Sequence, residues 1–510
     1  MSQEPGRKII QPGKLLKGWM VPAIYFVGMY LFYPFRNAIW MDFDEGVNLL
    51  KAQSLLNGYA LYRDIWSDQP PLFTYLLAGI LRFISQNVNL LRSFILILVC
   101  IFIWVYLEIL VTNWGKLHAA VGFVLLVLLP RFLDLSVSVM IGLPAIVFAT
   151  LSMGALMTWH RRSGNFWLVA SAILMAFSVL TKLFTGFLAP IFLLGILIDG
   201  YYKNGGARNW FQWLKPALWW GVIFSVIFII PIWVVVTPQN LGQLLNDHLI
   251  ATALARYEND PNKWLWTVLT DARPILVLAV FGGIYTILKK RWLFLYPLAW
   301  MIVAFIILLN HLPVWGHQQL LVTIPAVFLA AVAGGESLGS LWGILRARVR
   351  IDWQNLMGLA CVALFAFAVA VRLPPVLSSF NNYPTFKSPG FENTPSETQF
   401  LRLVIGYAPE THWMITDLPI YAFYARLAVP PDLVVFSSKR VETGQLTDEK
   451  VIEAIQKYQP EQVLLGRASA DLPRLQQFVK ENYKRVLSKH GTELFVLDRV
   501  LSSNTSQQAK

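Results

Sequence analysis

The chain carries one apolar run after another, each close to the length that crosses a bilayer, and nothing else constrains its fold as strongly. A hydrocarbon core takes roughly 20 helical residues per crossing. With no water in that core, the backbone satisfies itself in helices or closed barrels. Apolar runs lie at 19–36, 91–111, 117–133, 141–159, 166–181, 184–198, 216–237, 274–288, 292–310, 318–334 and 353–372. They predict an α-helical polytopic protein with about eleven transmembrane helices. Lys182 separates two of the runs. The first run follows Arg7, Lys8, Lys14 and Lys17 and is not followed by a small-residue cleavage site, so it reads as an uncleaved anchor. Charged residues make up 14% of the chain and the mean hydropathy is +0.54. About a quarter would be charged in an ordinary soluble domain, so a soluble or disordered chain is excluded.

The net charge of +13 is a topology record. Residues 1–372 hold 27 Lys and Arg against 15 Asp and Glu, a net +12, and the rest of the chain holds +1. The basic residues fall in short clusters between apolar runs: Lys116, Arg161–Arg162, Lys203, Arg208 and Lys215, Lys289–Arg291, and Arg346, Arg348 and Arg350. That is the positive-inside pattern, not a nucleic-acid-binding face. It sets the tail 1–18 in the cytoplasm and the loops 37–90 and 238–273 outside, within a membrane domain spanning 19–372. An odd number of crossings then puts the C-terminal domain outside as well. Cys100 and Cys361 sit in apolar runs, which gives no disulfide framework.

Beyond the membrane part, Pro374, Pro375, Pro384, Pro389 and Pro395 mark a linker over 373–395. Helix-like patterns at 397–407, 448–458 and 472–483 alternate with strand-like runs at 412–416, 462–465 and 493–497. They predict a small α/β domain over 396–501 and a polar tail over 502–510. The domain has no Gly-rich phosphate loop and reads as a packing or acceptor-recognition module.

The first outer loop is the richest in chemistry. Asp42, Asp44, Glu45, Asp64 and Asp68 gather beside a membrane surface. Leucines at helical spacing over 47–58, closed by Gly58, predict an amphipathic helix lying in the interface. Pro71 opens a second apolar helix over 72–84, expected at the outer surface. Acids held there make a cavity open to a lipid-linked and to a soluble substrate. Asp42-Phe43-Asp44 also spells the D-x-D of soluble nucleotide-sugar enzymes, but it faces away from the cytoplasm where nucleotide sugars are made.

The order Asp44-Glu45-Gly46, helix, Asn57-Gly58, Leu61-Tyr62-Arg63-Asp64, then Asp68-Gln69-Pro70-Pro71-Leu72 resembles the first outer loop of the GT-C integral membrane glycosyltransferases. The bacterial relatives of protein O-mannosyltransferases and of the lipid A aminoarabinose transferase are the most similar. Leu91-Arg92-Ser93, Thr181-Lys182 with Phe187-Leu188-Ala189-Pro190, and Gln319–Pro325 resemble further segments of that family, and His248 lies where the aminoarabinose group carries a histidine. The resemblance implies a sugar moved with inversion from a polyprenyl-phosphate donor to a lipid, glycan or protein acceptor outside the cytoplasm, in a bacterial inner membrane. It implies Asp44 as general base. Substrate contacts would come from Glu45, Asp64 and Asp68. The leaving phosphate calls for cations, with Lys182 and Arg92 placed for it and Arg63 and Arg256 as further loop cations. Two departures stand out. The acid that many members carry before the fourth span is missing from Met140-Ile141-Gly142-Leu143-Pro144, with Asp134 displaced nearby. A lysine ahead of the double proline is replaced by Gln69. Asp68 and His248 together offer an acid and a histidine for a divalent metal, and His317 reads as an interfacial residue. Two other classes remain open at this stage, a transporter or flippase for lipid-linked sugars and a non-catalytic assembly protein. The absence of an internal repeat disfavours the transporter.

Overall fold

A computed structural model describes residues 18–162, 164–203, 210–245, 261–311, 314–347, 353–380 and 396–502. Each apolar run is a helix. In chain order they begin with α1 (Met20–Phe32), followed by α2 (Phe43–Leu56) and α3 (Leu72–Phe83) in the first loop, then α4 (Val88–Asn113), α5 (Lys116–Val127) and the short α6 (Phe132–Leu135). The bundle continues through α7 (Gly142–Arg162), α8 (Asn165–Thr181), α9 (Leu188–Lys203), α10 (Trp210–Leu245), α11 (Pro261–Leu269), α12 (Arg273–Leu288), α13 (Leu295–Leu309), α14 (Leu320–Ala347) and α15 (Trp353–Ser379). Among the described residues, eight helical segments are long and apolar enough to cross a membrane, whereas α1, α5 and α8 are shorter. The eleven expected crossings therefore all have helices, of unequal length.

Core packing follows from side-chain size. Helix α14 is apolar and buried on every side from Leu320 to Ala333, as a helix surrounded by others must be, and emerges at Trp342 and Leu345. It touches α12 where Gly282 faces Leu329; a Cβ on Gly282 would come within 1.8 Å of the Leu329 carbonyl oxygen, so glycine is what allows that approach. The chain alternates direction, and the two ends of the bundle differ. At one end, among the described residues, basic residues are tied down by acids: Lys203 and His160 on Asp199 at 2.8 and 3.2 Å, and Lys289 on Glu336 at 2.5 Å. The other end carries the first loop, the segment 129–141, the turn at Lys182, the segment 314–319 and the last domain.

That domain is α/β, as expected. It runs α16 (Ser396–Gly406), β1 (Met414–Thr416), α17 (Pro419–Ala425), α18 (Ser438–Glu442), α19 (Asp448–Tyr458), β2 (Gln462–Leu465), α20 (Pro473–Asn482), β3 (Lys484–Lys489) and β4 (Thr492–Val496). The sheet order is β1-β2-β4-β3, with β1 parallel to β2 and the rest antiparallel. Strand β3 was not anticipated: its residues are mostly polar and exposed, and it pairs through a tight turn at His490-Gly491, both at positive φ.

Helix α2 corrects an expectation. It starts at Phe43, with the Asp42 side chain accepting from the Asp44 N–H, and is not an open interfacial helix. Residues 45–52 are buried, because α17 of the C-terminal domain lies directly across it. A Cβ on Gly46 would sit 2.5 Å from the Ile420 nitrogen. The small domain is thus seated on the loop that carries the acids.

Candidate active site

A cavity of about 1400 Å³ opens at this end of the bundle, between the membrane helices and the C-terminal domain. It exceeds the roughly 300–1,000 Å³ of a small-ligand pocket, and so has room for two substrates. Its floor comes from α2. Asp44, Asn48 and Lys51 recur at helical spacing and all line it, joined by Asp42, Asp68 and Lys182.

Asp44 sits against Asp42. Burial, reinforced by the Asp42 charge, pushes its carboxyl up to about 6, against the opposing pull of Lys182 and Arg467. Asp42 is also raised by burial, but Arg131 grips it at 2.5 Å. Arg131 holds a left-handed backbone, φ 64°, unusual for a large side chain. Its guanidinium lies between Asp42 and Asp134, 3.8 Å from the latter. The Tyr33 hydroxyl donates to Asp134 at 2.5 Å. Asp134 lines the same cavity, so the acid missing before Pro144 has a counterpart eight residues upstream of Gly142. Lys182 ends α8 in an extended conformation and turns into the cavity, where the Leu183–Phe187 turn begins.

Two pairs of expected site residues lie elsewhere. Glu45 and Arg92 are fully buried and bind each other. Arg92 Nε and Nη2 donate to the two Glu45 carboxylate oxygens at 2.9 and 2.7 Å, and its remaining donors reach the carbonyls of Phe35, Ala38 and Ile39. Glu45 also accepts from the Met41 and Val139 amides. Every strong site on the pair is used inside the protein, which removes Arg92 and Glu45 from substrate contact. Arg63 and Asp64 face solvent and pair with each other at 2.7 Å, outside the cavity lining, with the Asp64 carboxyl held low by that hydrogen bond. His248 and Arg256 lie outside the described residues, so the Asp68–His248 metal pair falls there too. Asp68 does line the cavity, and Lys439 of the C-terminal domain meets it at 3.1 Å.

The structure revises the reading of His317 and adds Arg467 and Lys51, which sequence reasoning did not single out. His317 is no mere interfacial residue: Asp42, Asp44 and His317 bring ligand atoms within 4.8 Å of one another, the described residues best able to hold a divalent cation. Arg467 comes from the C-terminal domain and lies over the Phe43 ring at 3.9 Å, between the two acids in sequence. Its loop is pinned by buried Asp417, which accepts from the amides of Gly466, Arg467 and Ser469 and from the Ser469 hydroxyl. Buried Lys51 completes the cationic lining. A lysine on the inner face of a helix rich in buried leucines was a signal available in the sequence; Arg467 had none.

Residues 66–243 match the family model described as dolichyl-phosphate-mannose-protein mannosyltransferase, about a third of the chain. Among curated protein sequences, none matches. Solved structures are similar over nearly the whole length. ArnT from Cupriavidus metallidurans in the apo state has a TM-score of 0.62 at 14% identity, covering 96% of this chain and 99% of that one. The same protein bound to undecaprenyl phosphate gives 0.59 at 15% identity, with the same coverage. The archaeal oligosaccharyltransferase AglB from Archaeoglobus fulgidus, in complex with an inhibitory peptide and a dolichol-phosphate, gives 0.54 at 13% identity, covering 95% of this chain and 74% of that one. The family match begins after α2, the cavity floor, and takes in Asp68, Arg131, Asp134 and Lys182 of its lining, and the fold match extends through the C-terminal domain. The chain thus has the fold of ArnT and AglB over nearly its whole length, and within it residues 66–243 match the protein-mannosyltransferase family model.

Proposed function

We propose that the chain transfers a sugar from a polyprenyl-phosphate donor to a hydroxyl of a lipid, glycan or protein acceptor, with Asp44 as general base. The observation that carries this reading is Asp44 itself. It is a carboxylate on the floor of a cavity large enough for two substrates, at the end of the bundle that meets the C-terminal domain, with a pKa of about 6 and Lys182 within its electrostatic reach. A base titrating near 6 is ionised at neutral pH yet basic enough to accept a proton in the transition state.

The displacement balances as follows. The acceptor oxygen attacks the anomeric carbon and forms the new C–O bond while its proton passes to Asp44. The bond from the anomeric carbon to the phosphate oxygen breaks on the opposite face, and its electron pair leaves with the lipid phosphate. The configuration inverts. The phosphate needs cations, not an acid, and Lys182, which lines the cavity, would supply one. The basic clusters at the other end of the bundle support a cytoplasmic face there, which sets the cavity and the C-terminal domain outside. The undecaprenyl phosphate and dolichol-phosphate held by the structural relatives support a lipid-phosphate donor.

The test is Asp44→Asn in membranes supplied with polyprenyl-phosphate sugars. The variant is expected to insert normally and to lose transfer by at least 10²-fold, the usual worth of a general base. Transfer at the wild-type rate would remove Asp44 from this role.

A further inference from the structure

Lys51 has no role in the displacement above, and its position is costly. It lies on α2, seven residues beyond Asp44 and on the same face. The residue is 3% exposed, and its side chain lines the cavity. Among the described residues it forms neither a hydrogen bond nor an ion pair of its own. Asp68 and Asp44 act on it electrostatically, while burial drives its pKa down. Asp68 is engaged by Lys439. A buried ammonium without a close partner opposes folding. A methionine would fill the same space at no such cost, so packing alone does not explain a lysine here.

We propose that Lys51 is a substrate-binding residue that takes the phosphate of the lipid donor together with Lys182. The proposal rests on the donor reading above. The two lysines are influenced by the same pair of acids, Asp44 and Asp68, so both face one space. They come from separate parts of the chain, one from the first loop and one from the end of α8. An anion arriving between them would give Lys51 the close partner it lacks, and Lys182, which lies over the Phe184 ring at 5.9 Å, a charged one.

The experiment compares purified full-length protein with its Lys51→Met and Lys51→Arg variants. Two probes are used: undecaprenyl phosphate, and undecaprenol, which has the same chain without the phosphate. Binding is read from tryptophan quenching, since Trp40 and Trp66 line the cavity, and thermal unfolding is read on the same samples. The expected result is that Lys51→Met melts at or above the wild-type temperature. It should bind undecaprenyl phosphate at least tenfold more weakly, in line with a lost hydrogen bond to a charged group, and bind undecaprenol unchanged. Lys51→Arg should recover part of the loss. A lower melting temperature with both lipids weakened alike would make Lys51 a structural residue and overturn the proposal. So would wild-type affinity of Lys51→Met for undecaprenyl phosphate, while Lys182→Ala loses it. If wild-type protein itself does not distinguish the two lipids, the donor reading fails along with the proposal.

Discussion

Replacing Arg92 separates a buried clamp from a substrate ligand. Sequence position makes Arg92 a phosphate contact; the structure spends it on Glu45. The guanidinium makes a two-pronged bond to the carboxylate and three more to the carbonyls of Phe35, Ala38 and Ile39, with both side chains at 0% exposure. In Arg92→Met the carboxylate is left buried with the Met41 and Val139 amides as its partners. Breaking a buried pair from one side costs about 3–5 kcal/mol. Carbonyls left without donors cost about 1–3 kcal/mol each where water does not reach them. The loss approaches the whole stability of many proteins, about 5–15 kcal/mol. Arg92→Lys should recover little, since one ammonium cannot reproduce the fork.

The assay is thermal unfolding of detergent-purified protein, run as a cycle with Glu45. Arg92→Met should melt far below wild type or fail to accumulate. The double variant Glu45→Leu with Arg92→Met removes both charges and should recover most of the loss, because an apolar pair of similar bulk often matches a buried ion pair. A wild-type melting curve for Arg92→Met combined with lost affinity for undecaprenyl phosphate would refute the reasoning and return Arg92 to the substrate.

The Asp44 carboxyl, raised to about 6, should give kcat/KM an acid limb near pH 6, with activity falling tenfold per unit below it in EDTA-treated protein. A limb near 4 would mean that burial does not govern this group. The same shift bears on stability with a definite sign. A carboxyl with a raised folded-state pKa favours folding at low pH, and that contribution is lost as pH rises from about 4 through about 6. Asp44→Asn should therefore gain on wild type in melting temperature across that window. Gly46→Ala places a Cβ 2.5 Å from the Ile420 nitrogen and should lift α17 off α2. Faster trypsin cleavage within 396–502 and reduced transfer are expected from it, with membrane insertion intact; unchanged activity and protease resistance would show that the contact adapts freely.

Much of the architecture could be read from the chain because it depends on local pattern. Each apolar run became a helix, although α14 runs to Ala347 and α15 to Ser379, past the expected limits of 334 and 372 and into the expected linker, and Lys182 did mark the break between α8 and the turn before α9. The α/β character of 396–501 followed from alternating patterns, and Asp44, Asp68 and Lys182 do meet in one cavity. What stayed hidden depends on contacts between distant segments. Arg92 and Glu45 are 47 positions apart, and each looks like a free charge until the fold brings them together. The docking of Ile420 on Gly46 joins segments over 370 positions apart, and with it come Lys439 and Arg467 into the site. No periodicity records such a meeting. Strand β3 was hidden for another reason: it is an edge strand with little apolar alternation.

The adjacent acids Asp44 and Glu45 show how one motif divides into two tasks. Consecutive residues on a helix point about 100° apart. Asp44 therefore shares a face with Asn48 and Lys51, toward the cavity, while Glu45 shares one with Leu49 and Ala52, each 0% exposed. Glu45 binds the arginine of α4, the Met41 amide ahead of its own helix and the Val139 amide of the opposite wall. The Tyr424 hydroxyl of the C-terminal domain closes on the Ile39 carbonyl, which Arg92 also engages. These bonds fix the first turn of α2 in position and rotation, and Asp44 lies within that turn. A change at Glu45 would move the base without touching the chemistry, so loss of transfer alone would not separate the two acids. Melting temperature would: it should fall sharply for Glu45→Ala and rise or hold for Asp44→Asn.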